Sequence, residues 1–148
     1  MLKAVAGGGR PSAPITQSGE FLVTLSGLSN PPQTEFEWNL IAGSLVALTC
    51  KGTGLWTSNS TDLAIPVGTL PQAIRPFFGL TVPCGVVNNN QPFMGRAVIA
   101  SQGAGGAGGI TFDCPTADGN FTLDSFTASG TKGIPLGATI LYPLTADL

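Results

Sequence analysis

The sequence has 148 residues, the length of one domain, and carries 8 acidic and 6 basic side chains for a net charge of −2. Charged residues make up 9% of the chain, against about 25% in ordinary soluble domains. Mean hydropathy is positive at +0.31, yet the longest apolar stretch, Leu40–Leu48, has nine residues where a spanning helix needs about 20. A membrane partner is therefore not expected, and burial against other chains is the better account of the charge deficit.

Residues 1–18 (MLKAVAGGGRPSAPITQS) read as an extended arm. Gly7–Gly9, Pro11 and Pro14 leave too few large apolar residues to fold alone. The run also lacks the apolar h-region of about 7–15 residues that a secretion signal needs. Within the arm, Leu2, Val5, Pro14 and Ile15 are the candidate docking contacts. The body, residues 19–148, shows no sustained 3.6-residue period. It alternates with a period of two between turn residues, the mark of strands.

Phe21, Val23 and Leu25 alternate with Leu22, Thr24 and Ser26; after Ser29-Asn30-Pro31-Pro32, Phe36, Trp38 and Leu40 alternate with Glu35, Glu37 and Asn39. Leu45–Cys50 is the next strand, Gly52-Thr53-Gly54 a turn, and Trp56 precedes a polar stretch leading to Leu63–Val67. Strands are then expected at Leu80–Val82, Cys84–Val87, Arg96–Ala100, Ile110–Cys114, Phe121–Phe126 and Ala138–Tyr142. Turn signals at Asn88-Asn89-Asn90, Asp118-Gly119 and Gly130 separate them at spacings of about 8–12 residues, which predicts an all-β antiparallel sandwich or jelly roll.

Chemistry is sparse. The chain has no histidine, which removes the commonest general base, the Ser-His and Cys-His nucleophiles and the commonest metal ligand. Asp113, Asp118 and Asp124 do not fit a calcium loop; a paired-carboxylate hydrolase is the enzyme alternative they leave open. Gly103–Gly108 matches G-x-G-x-x-G, but strand residues follow it rather than a helix, so it reads as a flexible loop between strands. Cys50, Cys84 and Cys114 end apolar runs without C-x-x-C spacing and are expected as buried free thiols without metal. The six basic residues are no closer than seven positions apart, which makes no phosphate-tracking patch; nucleic acid is not an expected partner. No cofactor is expected. Asn59-Ser60-Thr61 and Asn120-Phe121-Thr122 match the glycosylation pattern by chance in a Ser/Thr/Asn-rich chain. Trp38 belongs in the core, and Trp56, just past a turn, is a candidate exposed contact with Asn59 and Asn89.

One stretch carries a resemblance. Gly68-Thr69-Leu70-Pro71, followed by Arg75-Pro76, then VPCGVVNNN, Gly95–Ile99, Ile110-Thr111-Phe112 and the ending Ala128–Gly133 with Thr139–Tyr142, resembles the small β-sandwich knobs of tailed bacteriophages. These are head fibres, capsid decorations and tail-fibre or baseplate tips, generally trimeric. The likeness covers residues 67–142, and the Gly103–Gly109 insertion departs from it. It implies a homotrimeric virion component, assembled in the host cytoplasm and partnered by the major capsid protein or another virion protein. The physical reading agrees: a repeated structural subunit needs few charges and has its strand edges covered by sister chains. The expectation is a capsid decoration or head-fibre protein anchored by its arm. The alternative is a receptor-binding tip contacting glycan or protein through Ser58–Thr61 or Gln102–Gly109.

Overall fold

The apolar–polar alternation of Thr34–Ile41 decides the first layer. Phe36, Trp38 and Leu40 are buried while Glu35, Glu37 and Asn39 turn outward. The computed structural model describes residues 14–122 and 125–145. Their strands are β1 (Ile15–Val23), β2 (Thr34–Ile41), β3 (Leu45–Cys50), β4 (Leu55–Thr57), β5 (Ala64–Ile65), β6 (Leu80–Asn88), β7 (Gln91–Ile99), β8 (Ile110–Asp113), β9 (Thr131–Gly133) and β10 (Thr139–Pro143). A single 3-10 turn spans Gln72–Ile74, and among the described residues no helix is long and apolar enough to cross a membrane.

The strands form two antiparallel sheets, ordered β1-β2-β3-β10 and β4-β9-β6-β7-β8-β5, so the chain is an all-β sandwich. Phe36, Val46, Leu48, Ile140 and Tyr142 from the first sheet share one core with Cys84, Val86, Ala97, Ile99, Ile110 and Phe112 from the second. Phe21 stacks on Phe36 with ring centroids 5.6 Å apart. Gly19 lies opposite Trp38, whose indole occupies the space a Cβ would need. The Tyr142 hydroxyl donates to the Ile74 carbonyl at 2.8 Å, joining the last strand to the 3-10 turn; burial pushes its pKa up.

The turns follow their residues. Asn89 and Asn90, between β6 and β7, both have positive φ (47° and 68°), a conformation asparagine tolerates and a two-residue hairpin requires. Pro83 falls mid-strand in β6. Its only partner there is Arg96 of β7, since β9 meets β6 at Val87 alone. The missing N–H therefore costs no ladder bond.

Four expectations need correction. The arm does not extend to residue 18: Ile15, Gln17 and Ser18 pair with Ile41, Leu40 and Asn39, so a boundary at Gly19 cuts through β1. Leu80–Val82 and Cys84–Val87 form one strand through Pro83. Phe121 makes only an isolated bridge to Pro115, and no strand is present at Thr122, Ser125 or Phe126. In its place Thr131–Gly133 forms β9, where φ of +143° at Gly133 admits no side chain because a Cβ would fall on the Gly54 carbonyl oxygen.

Candidate interaction surfaces

Trp56, Asn59 and Asn89 come together at one end of the sandwich. The Trp56 indole N–H donates to the Ser29 carbonyl at 2.9 Å, and the Asn59 side-chain amide donates to the Leu28 carbonyl at 3.1 Å. Both therefore hold the Gly27–Asn30 loop in place and leave mainly their faces to solvent. Ser58 N–H donates to Gly130, and Gly130 packs directly against the Asn89 side chain. The Asn88 side-chain Oδ1 accepts from the Thr127 N–H and hydroxyl at 2.9 and 3.1 Å. Beside these loops a cleft of about 500 Å³ is lined by Asn88, Phe93, Pro115, Thr116, Ser125 and Thr127. It offers an aromatic face among uncharged hydroxyl and amide groups.

The segment behind the resemblance has a structural job. The Arg75 guanidinium folds back to donate to Leu70 and Gly68 carbonyls at 2.8 and 3.1 Å. Gly108 leaves the space in which that guanidinium sits. Thr69 and Leu70 N–H groups donate to the Gly108 carbonyl. The Gly103–Gly109 loop joins β7 to β8, as its sequence implies. It is a chain of hydrogen-bonded turns docked on residues 68–70 rather than a free linker.

Buried polar groups serve the frame. Lys132 of β9 is fully buried; its ammonium donates to the Ser60 and Asp62 carbonyls and lies 5.5 Å from the Phe126 ring centroid. Burial lowers its pKa, partly opposed by the Asp62 charge. Cys50, Cys84 and Cys114 are buried free thiols; burial raises all three pKa values, that of Cys84 to about 12, so none is a reactive thiolate. Asp113 is buried and accepts from Arg96 Nε at 2.7 Å. Asp118 lies apart on an exposed loop, where the Thr116 hydroxyl and then the Asn120 amide hold its pKa down. Asp124 lies outside the described residues.

The two outer sheet faces differ in charge. On the four-stranded sheet, Glu20 stands opposite Glu37, and Leu22 opposite Glu35. All three glutamates of the chain thus share one face. A hydrogen bond to Glu35, and then the charge of Glu35, raise the Glu20 pKa. Lys51 approaches Glu37 at 3.8 Å. On the six-stranded sheet the register sets Thr81, Pro83, Gly85 and Val87 of β6 beside Val98, Arg96, Met94 and Pro92 of β7. Thr111 and Asp113 of β8 continue two of these rows. Leu55, Thr57, Thr131 and Gly133 extend the face through β4 and β9. Among the described residues its only charges are Arg96 and Asp113, which neutralise each other beneath Phe121, whose ring lies 4.8 Å from the guanidinium carbon. Outward alternation made Glu35 and Glu37 readable from sequence. Grouping Glu20 with them required the β1–β2 register.

Among the proposed docking residues, Pro14 is exposed and Ile15 is 60% exposed at the start of β1; Leu2 and Val5 lie outside the described residues. No cluster of three potential metal ligands occurs among the described residues. Comparison with family models, with curated proteins and with solved structures finds no match to this chain.

Proposed function

We propose that the chain is a structural subunit of a larger assembly: a bacteriophage capsid decoration or head-fibre protein, held on the particle through its N-terminal residues. The observation that carries this reading is the surface. Ten large apolar side chains stand exposed among the described residues, Leu136 at 72% and Met94 at 67% among them. With only 9% charged residues, few charges surround them, and an apolar surface so poor in charge favours contact with other proteins. The polar groups that might do chemistry are spent on the frame: Lys132 on loop carbonyls, Asp113 on Arg96, the thiols in the core. The test is the composition of purified particles of a phage encoding the chain. The reading expects the protein as repeated, symmetry-related density on the shell; abundance in the lysate with none on particles would remove it.

A second reading, a receptor-binding tip, draws on the gathering of Trp56, Asn59 and Asn89 at one end beside the Phe93 cleft. Aromatic faces flanked by neutral hydroxyls and amides suit sugar rings. Glycan-array binding abolished by Phe93→Ala would favour it over the shell role, and an array without signal would count against it.

A further inference from the structure

We propose that the cleft beside the β6–β7 turn binds an uncharged saccharide ring seated on Phe93. The inference rests on the second reading above and deepens it, naming the site and the class of sugar. Strand alternation gives the first reason. Gly95, Ala97 and Ile99 of β7 are buried, and Phe93 has the same parity. Its β6 partner Val86 is buried too, and Asn88 follows Val86 on the same inward side. Phe93 thus occupies a core-facing position, yet it is 40% exposed. Against it lies the cleft of about 500 Å³, with Pro115, Thr116, Ser125 and Thr127 as the far wall. That volume is within the range of about 300–1,000 Å³ typical of small-molecule sites.

The polar groups on the rim are held by bonds of their own. Ser125 Oγ accepts from the Cys114 N–H at 2.8 Å, and among the described residues its own proton is left to donate. Thr127 fills the Asn88 Oδ1 with its N–H and hydroxyl, so what that amide can offer a ligand is an N–H. Thr116 gives its hydroxyl proton to the Asp118 carboxylate, which leaves its oxygen to accept. A pyranose fits this set. Its C–H groups lie against the electron-rich face of Phe93, and its hydroxyls both accept and donate. A rim fixed in advance also lowers the ordering cost of binding. Charge then narrows the class. Among the described residues no cation lines the cleft, and Asp118 stands on the loop that carries Thr116 and Gly119. Sialic and uronic acids would meet like charge there without a compensating base. A neutral hexose, or its N-acetylated form, does not.

The experiment is an NMR titration of the isotopically labelled full chain, read at assigned backbone amides. The probes are methyl glycosides of glucose, galactose, mannose and N-acetylglucosamine, with methyl glucuronide as the anionic one. A neutral glycoside is expected to shift the amides of Asn88, Phe93, Thr116 and Ser125 with a millimolar Kd. The glucuronide should bind at least about 10-fold more weakly. Phe93→Ala, its folding verified by spectral dispersion, should weaken the neutral sugar at least about 10-fold, and Phe93→Tyr should retain it. Asn88→Asp keeps the acceptor for Thr127, removes the donor and should weaken the sugar as well. Shifts that cluster away from the cleft, or binding that survives Phe93→Ala, overturn this site and leave the tip reading standing. Equal binding of the glucuronide overturns the neutral class. Silence from every glycoside overturns the site, and a silent glycan array beside it removes the tip reading too.

Discussion

Arg96 and Asp113 face each other on neighbouring strands with a guanidinium–carboxylate contact of 2.7 Å, and the second oxygen of Asp113 has no hydrogen-bond partner among the described residues. Each member of the pair neutralises the other, and the Arg96 side chain is 33% exposed against 1% for Asp113. Replacing Asp113 by Ala strands a partly desolvated guanidinium. Because water still reaches that group, the expected loss of stability is about 1–2 kcal/mol rather than the full cost of a broken buried pair. Urea unfolding would read it; an unchanged midpoint would show that the pair contributes nothing.

Lys132 ties β9 to the loop at residues 60–62 through two carbonyls. Lys132→Met keeps most of the stem's packing but orphans both acceptors. Each unsatisfied buried carbonyl costs about 1–3 kcal/mol, so a loss of about 2–4 kcal/mol is expected. Hydrogen exchange should show the damage first at Ser58–Leu63 and β9. Uniform exchange across both sheets would contradict the local role given to this lysine.

Glu20 gives the stability curve a definite sign. Its pKa is raised in the folded state by its hydrogen bond to Glu35 and by that residue's charge. The folded chain therefore keeps a proton that the unfolded chain releases. The resulting stabilisation is fully present below the ordinary carboxylate range and is lost as pH rises through the raised value. Glu20→Gln imitates the protonated side chain. Its Tm advantage over the wild type should be small near about pH 4 and larger near about pH 7. An advantage equal at both pH values would show that the Glu20–Glu35 contact does not form.

Truncation separates the arm from the sandwich. A chain beginning at Pro14 retains β1 whole and should unfold at the wild-type temperature while losing its place on particles. A chain beginning at Gly19 loses the pairs Ile15–Ile41, Gln17–Leu40 and Ser18–Asn39 and should be less stable. Wild-type occupancy of particles by the Pro14 chain would rule out the arm as anchor.

The sheets were legible where alternation was clean. β3 begins and ends at Leu45 and Cys50 as its apolar run implies, and Trp38 is a core residue because its neighbours Glu37 and Asn39 point away. Legibility failed where long-range pairing outweighed local pattern. Phe121–Phe126 alternates like a strand, yet Phe121 goes to cover Arg96 and Phe126 to pack under Lys132. Thr131-Lys132-Gly133 has no apolar residue and a charge at its centre, but it is a strand because loop carbonyls wait for the ammonium. The grouping of Glu20 with Glu35 and Glu37 was invisible for a related reason: only the β1–β2 register places all three on one face.

The most direct test of the account is the molar mass of the intact chain in solution at micromolar concentration. A structural subunit that hides exposed apolar side chains against its sisters should scatter as a multiple of its 15.0 kDa monomer, three copies being the expected number. A well-behaved 15.0 kDa species, stable and unassociated at that concentration, would contradict it.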